Sequence, residues 1–312
     1  MDSTTADASG PGELPAPALQ IQSVLYGNSL AELDRGIDPL GRAIEVARER
    51  GAVGRVVVAW GDCSSDRTLD AGEIEARSER LRSAGADWLR YTWFGENLGS
   101  AEGNNRLWAE IDTDLVLILN PDTVVAPDLL VEMVAAFADP GVGLVDARQL
   151  PIEHAKDFDQ VTGDTSWASG ACSLVPTSVI REIGGYDSRS FFLYCDDVDF
   201  SWRVRLAGHR VVHRPSARVF HDKRLSSDGS WSVGSAEEYW SAEGALVLAH
   251  KYSRPERVKA IRKDLLAHGS EAQRKAVADF DGRAAEGRLP EPLDHDHAVG
   301  QFVAGNYARH RY

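Results

Sequence analysis

Cysteine is scarce in this chain of 312 residues: Cys63, Cys172 and Cys195 lie far apart, and no CxxC pair occurs. That excludes a disulfide framework, argues against a structural zinc site and fits a reducing compartment. Basic residues are also in deficit, 34 Lys plus Arg against 48 Asp plus Glu, for a net charge of −14. Binding nucleic acid through its phosphates needs a concentrated basic face, so no nucleic-acid partner is expected. Long apolar runs are missing too. Segments such as "DLVLIL" and "GALVLA" fall far short of the roughly 20 residues that cross a bilayer. Residues 1–18, "MDSTTADASGPGELPAPA", lack a cationic start and an apolar core, so they read as a disordered leader and not a signal peptide. The expected location is cytoplasmic, with peripheral contact at a membrane left open. No internal repeat is visible.

What is present is an alternation of extended and helical patterns. "LQIQSVLY" (19–26) reads as a strand, and Ser29 with Glu32 three residues on makes a capping box for a helix reaching about Arg50. "GRVVVAW" is a second strand followed by a polar turn and a helix through Leu81, and "DWLRYTWF" a third followed by a helix through "NNRLWAEI". "DLVLILN" is the fourth, "PDLLVEMVAAFA" a helix, and "VGLVDAR" another strand. Continuous β-branched and leucine runs joined by helices predict a Rossmann-like, mostly parallel sheet covered on both faces. Ligands then sit at the carboxyl ends of the strands. Residues 151–234 hold short extended pieces and one acidic helix start, an α+β half packed on the first, and from Ser235 the composition is helical.

In "LILNPDTVV" (117–125) an apolar strand runs into Asn120, Pro121 and Asp122. A type I turn accounts for these residue types. A carboxylate at the end of a central strand can equally hold a divalent ion against a ligand's diphosphate. Polar residues gather at the other strand ends as well: Tyr26 and Asn28 after the first, Asp62 and Asp66 after the second, and Asn97, Gly99, Gly103, Asn104 and Asn105 after the third. Each stretch alone is a turn. Together they suggest a pocket for a base and ribose.

"FFLYCDDVDFSWRVRLAGHRV" (191–211) places Asp196, Asp197 and Asp199 at the start of a short helix closed by Gly208. Acids there are favoured by the helix dipole. A carboxylate in apolar surroundings also becomes a better base, and both readings stand at this point. Trp167 reads as core or as a sugar platform, Gly170 and Ala171 as a bend or a small-residue floor, and Asp187 in "GGYD" as a turn residue or a sugar contact. "DHDH" (294–297) reads as a solvated tail, because its spacing fits no compact metal site.

In order along residues 20–222, "VLYGN", "DCSSDRT", "ENLGSAEGNNRLW", "LILNPDTVV", "SGACSLVPTSVIREIGGYDSRSFFLYCDDVDFSWRVRLAGHRV" and "VFHD" resemble family 2 glycosyltransferases of the GT-A fold, in the rhamnosyl- and galactofuranosyltransferase-like branch. The resemblance implies an α/β GT-A domain over 19–234, with a nucleotide-binding half (19–150) and an acceptor half (151–234), and a helical C-terminal extension over 235–312. It implies Asp122 and His221 as ligands for Mn²⁺ or Mg²⁺, and Asp197 as catalytic base with Asp196 beside it. Tyr26, Asn28, Asp62, Asn97, Gly99, Asn104 and Asn120 are expected around the nucleotide. Two departures stand out: Gly61 occupies the position of a family Asp, which Asp62 could replace, and Glu243 with Gly244 stand where related chains often carry Arg-Asn.

The chemistry implied is inverting transfer of a sugar from a nucleotide-diphosphate donor, UDP- or dTDP-linked, to an acceptor hydroxyl. Saccharide, lipid-linked and natural-product acceptors all remain open, and the C-terminal helices could pair two subunits. The alternatives are a nucleotidyltransferase and a non-catalytic sugar-nucleotide-binding module. The first of these would want a Gly-rich, basic phosphate loop after the first strand, and "LYGNSLAEL" supplies none.

Overall fold

The computed structural model describes residues 15–153, 156–221, 234–303 and Tyr307. Residues 1–14 of the expected leader and Asp222 of "VFHD" lie outside the described residues.

Four strands, β1 (Leu19–Leu25), β2 (Val56–Asp62), β3 (Trp88–Trp93) and β4 (Leu115–Leu119), pair in parallel in the order β3-β2-β1-β4. The helices between them are α1 (Leu30–Glu49), α2 (Ala71–Ser83) and α3 (Gly99–Trp108). Two of the three begin on capping boxes, Ser29 with Glu32 and Asp70 with Glu73, which satisfy otherwise orphaned amides. Every residue of β2 and β4 is buried, the condition that continuous apolar strands require.

Beyond β4 the sheet changes character. β5 (Thr123–Val125), β6 (Val142–Leu150), β7 (Cys172–Pro176) and β8 (Arg210–His221) extend it to eight strands in the order β3-β2-β1-β4-β7-β6-β8-β5. Because β7 enters antiparallel between β4 and β6, and β5 pairs antiparallel with β8, the parallel half grades into a mixed one. The helix expected over 127–138 is shorter: α4 (Leu129–Val134) tightens into a 3₁₀ turn at Ala135–Ala138. One helix had no counterpart in the sequence reading: α5 (Thr177–Ile183), which ends at Gly184 and Gly185, both with positive φ. α6 (Asp196–Leu206) leads into β8, and α7 (Ser235–Lys251), α8 (Pro255–His268) and α9 (Glu271–Ala285) follow.

Alternate residues of the strands feed opposite faces. Leu115, Leu117 and Leu119 join the core under α1 and α4, whereas Val116 and Ile118 join the one beside α3, α5 and α6. A third apolar cluster, including Trp202, Leu246, Tyr252 and Phe280, welds α6 to α7 and α9. All three cysteines are buried and free. Among the described residues no helix is long and apolar enough to cross a membrane.

Candidate active site

β4 stops at Leu119 because the chain turns. Asn120 donates its amide to Ala171 O at 2.9 Å, and Thr123 Oγ1 donates to Asn120 O at 2.6 Å. Both readings of this segment therefore hold at once: a turn is formed, and it carries Asp122 at a strand end. β5 pairs with β8 in a register that sets Thr123 opposite His221. The result is His221 Nε2 at 3.4 Å from Asp122 Oδ1. On the other side of the ring, His221 Nδ1 lies 2.9 Å from Gln149 Oε1, with Gln149 almost fully buried in β6. With that carbonyl accepting, the proton sits on Nδ1 and the Nε2 lone pair faces Asp122.

This carboxylate and imidazole fit a divalent cation as two donors. Among the described residues no group of three or more His, Cys, Asp or Glu is arranged to hold a metal ion. Oxygens of a bound molecule and water commonly complete the shell of a cation shared with a phosphate ligand.

The acidic pair is built differently. Tyr194 and Cys195 both have left-handed backbone, φ 64° and 59°, before α6 begins at Asp196. Such a conformation costs of order 1–3 kcal/mol at a non-glycine residue and persists only where surroundings enforce it. Gly244 of α7 is one enforcer: a Cβ there would lie 3.0 Å from Tyr194 O and 3.2 Å from Cys195 Cβ. Gly244 thus lets the helix press directly on the turn.

Asp197 accepts from Gly170 N at 2.9 Å through Oδ2 and from Val198 N at 2.8 Å through Oδ1, yet keeps an edge open to solvent. Burial raises its pKa against those two amide bonds. Asp196 is pushed up to about 7, first by burial and then by the charge of Asp197, with a hydrogen bond from Ser100 opposing. Two adjacent carboxyls that resist joint ionisation behave as a pair. Asp199 belongs elsewhere: fully buried, it bonds Arg203 Nε at 2.8 Å and Lys251 Nζ at 2.7 Å. Lys251 also meets Asp187 Oδ2 at 2.7 Å, so Asp199 ties α7 to α6 and Asp187 ties it to the loop before α6.

Behind Gly170 lies a charged cluster that the sequence reading missed. Asp146 Oδ2 contacts Lys156 Nζ at 2.7 Å and His213 Nδ1 at 2.6 Å, and Oδ1 accepts from Ser169 N at 2.7 Å. Burial alone would raise the Asp146 pKa, but Lys156 and His213 hold it below the ordinary carboxylate value. Adjacent amides, those of Ser169 and Gly170, therefore run to Asp146 and Asp197. The signal in the sequence was an aspartate inside the apolar run "VGLVDAR".

The candidate nucleotide residues divide into two groups. Tyr26 is exposed, and its amide donates to Asn28 Oδ1 at 3.0 Å. Asn97 Oδ1 accepts from Gly99 N at 3.2 Å. Gly99 has φ +70°, and a Cβ there would fall 2.2 Å from Phe192 O, so only glycine lets this loop meet the segment leading to Asp196. Two expectations need correction. Asp62 is fully buried, and its carboxylate is spent on Ser64 N (3.0 Å), Thr68 N (2.8 Å) and Tyr91 Oη, bonds that outweigh burial and lower its pKa. Asn104 is buried, its amide bonded to Ser100 O at 3.0 Å and to Gln22 Nε2 at 2.7 Å. Both side chains are turned into the protein and engaged there by these bonds. Gly61 is small for a packing reason: a Cβ would lie 2.7 Å from Phe94 Cε2.

Trp167 is core, with Lys156 Nζ 4.3 Å above its ring. The "DHDH" stretch is more ordered than a solvated tail: Asp294 accepts the amides of Ala298 and Gly300, each at 2.7 Å, and His295 Nδ1 meets Ser253 Oγ at 3.0 Å.

No family model matches the chain. Over 61 residues it is 44% identical to the N-acetylglucosaminyl-diphospho-decaprenol L-rhamnosyltransferase of Mycobacterium tuberculosis, covering 20% of either chain. Over 142 residues it is 27% identical to rhamnosyltransferase WbbL of Escherichia coli, covering 35% of this chain and 53% of that one. A solved structure, mannosyltransferase PcManGT from Pyrobaculum calidifontis in complex with GDP-Man and Mn²⁺, superposes with a TM-score of 0.57 at 18% identity, covering 90% of this chain and 79% of that one. The chain has the GT-A fold and is family 2-like. It spans about a fifth of the length of the first curated relatives it matches. Within this GT-A chain the turn that carries Asp122 and the carboxylate of Asp197 both bond to the segment Ser169–Ala171, through Asn120 N to Ala171 O and from Gly170 N to Asp197 Oδ2.

Proposed function

We propose that this chain transfers a sugar from a nucleotide-diphosphate donor to an acceptor hydroxyl with inversion at the anomeric carbon. The observation that carries this reading is the bridge between the two acidic groups. Asn120, two residues before Asp122, bonds to Ala171, and Gly170 bonds to Asp197. The backbone turn before Asp122 and the carboxylate of Asp197 are thus held by neighbouring residues of one segment, which supports a shared site.

Asp122 and His221 would hold the divalent cation, and Mn²⁺ suits an imidazole ligand better than Mg²⁺ does. GT-A neighbours solved with Mn²⁺ support a divalent ion here. When bound, such an ion supplies neutralisation of the charge that grows on a departing diphosphate. The protein's own groups do the rest. Asp197, held by two amides and raised in basicity by burial, accepts the proton of the acceptor hydroxyl. The oxygen of that hydroxyl bonds to the anomeric carbon as the bond from that carbon to the diphosphate breaks. The nucleoside diphosphate leaves on the opposite face, and the proton ends on Asp197. Asp196 holds a proton near neutral pH, which leaves the negative charge of the pair on its neighbour.

Tyr26, Asn28, Asn97 and Gly99 stand nearest the expected base and ribose, with UDP and dTDP as the donor nucleotides to test first. The Mycobacterium relative, named for an acceptor on a diphospho-decaprenol carrier, supports a saccharide acceptor. A thermal-shift panel of nucleoside diphosphates and nucleotide sugars, with and without Mn²⁺, tests the reading. One nucleotide class should raise the melting temperature only when the metal is present. If no nucleotide shifts it under either condition, the donor site does not exist.

A further inference from the structure

The charged cluster behind Gly170 is larger than an anchor needs. Asp146 lies in β6, where the strand register sets it beside Ser173 of β7 and His213 of β8. Holding the Ser169 amide takes one of its carboxylate oxygens. The other meets both Lys156 Nζ at 2.7 Å and His213 Nδ1 at 2.6 Å, and the side chains of Asp146, Lys156 and His213 are only 0%, 2% and 4% exposed. Taking ions out of water is costly, and a buried ion pair is seldom more stable than an apolar substitute of the same shape. Buried charge of this kind gathers where a neighbouring group's own charge must be controlled.

Lys156 is placed to exert such control. Its ammonium lies 4.3 Å over the ring of buried Trp167, so a cation–π contact and an ion pair together fix it. From there two links reach the expected base. Asp146 Oδ1 accepts from Ser169 N at 2.7 Å, and the next amide, Gly170 N, donates to Asp197 Oδ2 at 2.9 Å. Burial is the largest influence on Asp197 and raises its pKa; the amides of Gly170 and Val198 oppose it, then the charge of Lys156 does so too, ahead of Asp146, which raises it. Glu153 and Cys172 lie within electrostatic reach of Asp146, as Asp196, Cys195, Tyr186 and Tyr307 do of the acidic pair, and burial pushes all six toward their neutral forms. Arg203 of α6 is spent on Asp199. His213, held against Asp146, is the other group in the cluster that can become a cation.

We infer that Lys156 is a positioning residue for the base: its fixed charge, set behind the amides of Ser169 and Gly170, holds Asp197 as an anion ready to accept a proton. Giving Lys156 a part in catalysis rests on the proposed sugar transfer; the electrostatic link from Lys156 to Asp197 does not.

The test follows the carboxyl of Asp197 itself in the full chain, labelled with carbon-13 at the aspartate carboxyls. An Asp196→Asn background leaves one titrating carboxyl in the pair, and the Asp197 resonance is the one lost when Asp197→Asn is added. Its midpoint is read from a pH titration. Lys156→Met should raise that midpoint by about one pH unit, the low end of what a neighbouring opposite charge is worth. Lys156→Arg keeps the charge and should leave the midpoint near its starting value. Because Lys156→Met leaves buried Asp146 undercompensated, it is prone to unfold or to draw a proton onto His213. Pairing it with Asp146→Asn avoids both, since no charge is stranded and the asparagine still offers Ser169 N an acceptor. The midpoint of this doubly neutral variant should also rise, by less, because the opposing effect of Asp146 has gone as well, and its melting temperature checks the fold. An unmoved midpoint in the doubly neutral variant, or an equal rise in Lys156→Arg, overturns the inference. Wild-type sugar transfer by Asp197→Asn would remove the base from the mechanism and leave this titration as it is, so the two ideas fail separately.

Discussion

Gly170 donates its backbone N–H to Asp197 Oδ2 at 2.9 Å, and the neighbouring Ser169 donates to buried Asp146 at 2.7 Å. The expected base is therefore oriented by main chain, and that main chain is anchored by a carboxylate neutralised by Lys156 and His213. Orientation of this kind survives side-chain changes nearby but not loss of the anchor. Asp146→Asn should lower kcat with little change in donor affinity, whereas Asp146→Leu, which strands a buried lysine, should also lower the melting temperature. Equal, purely thermal effects of both substitutions would show that the anchor serves folding alone.

Asp197→Asn keeps the shape of the side chain and removes the proton acceptor. Transfer should fall by about 10²–10⁴-fold, the usual worth of a general base, while the nucleotide shift with Mn²⁺ persists. Wild-type transfer by this variant would remove Asp197 from the mechanism, and absence of transfer in both proteins would favour a binding module.

Gln149→Leu is informative because it acts through another residue. The substitution leaves Asp122 and His221 in place but frees the imidazole to rotate or change tautomer. Partners of this type are worth about 10–100-fold in metal affinity. Mn²⁺ affinity, read by the electron paramagnetic resonance of the free ion, should drop by that factor. The substitution also strands the buried His221 N–H while relieving the unpartnered Gln149 Nε2, so a stability loss of no more than about 1–3 kcal/mol is expected. Unaltered Mn²⁺ affinity would argue that His221 is not a ligand.

The pH dependence follows from the acidic pair. A base must be ionised to act, so kcat/KM should rise with pH as Asp197 ionises, above the ordinary carboxylate value because burial raises its pKa, and before Asp196 loses its own proton at about 7. For stability the sign is the reverse of the usual carboxylate case. The folded-state pKa of Asp196 is raised above its unfolded value, so its contribution is fully present below about pH 4 and is lost as pH rises through about 7. Asp196→Asn should therefore raise the melting temperature relative to wild type at pH 8, by the equivalent of about 4 kcal/mol, and not at pH 4. A constant difference across that range would mean that the carboxyl ionises freely in the folded protein.

Gly244→Ala places a methyl group 3.0 Å from Tyr194 O, with no flexible side chain to yield. Overpacking of this kind costs about 1–3 kcal/mol. The strain falls on the turn before Asp196, so kcat should decline more than nucleotide affinity. A loss confined to nucleotide binding would place Gly244 outside this chain of contacts.

The parallel half of the sheet was legible because its strands are buried on both faces and so read as uninterrupted apolar runs, and because Ser29–Glu32 marks the first helix. The mixed half was less so: β7 and α5 are short, and β7 finds its partners in β4 and β6, both distant in the chain. At the site, Asp122 was legible from its place at a strand end, and the Asp196–Asp197 pair from its density of charge beside aromatics. Asp62 and Asn104 looked like ligand groups because composition cannot tell a polar side chain that faces a pocket from one that braces its wall. Gln149 and Asp146 carried little signal, since each acts through partners elsewhere in the chain, the histidines among them lying 72 and 67 residues distant.

The left-handed turn at Tyr194 and Cys195 has a consequence for dissection of the molecule. Its backstop is a helix that the chain supplies some 40 residues after the acidic pair. Removing everything beyond the last strand would keep the eight strands and every proposed nucleotide contact, yet take away what wedges the two aspartates into place. A truncated version of that kind would load donor and stall, and so the trailing helices are better regarded as part of the machine than as its casing.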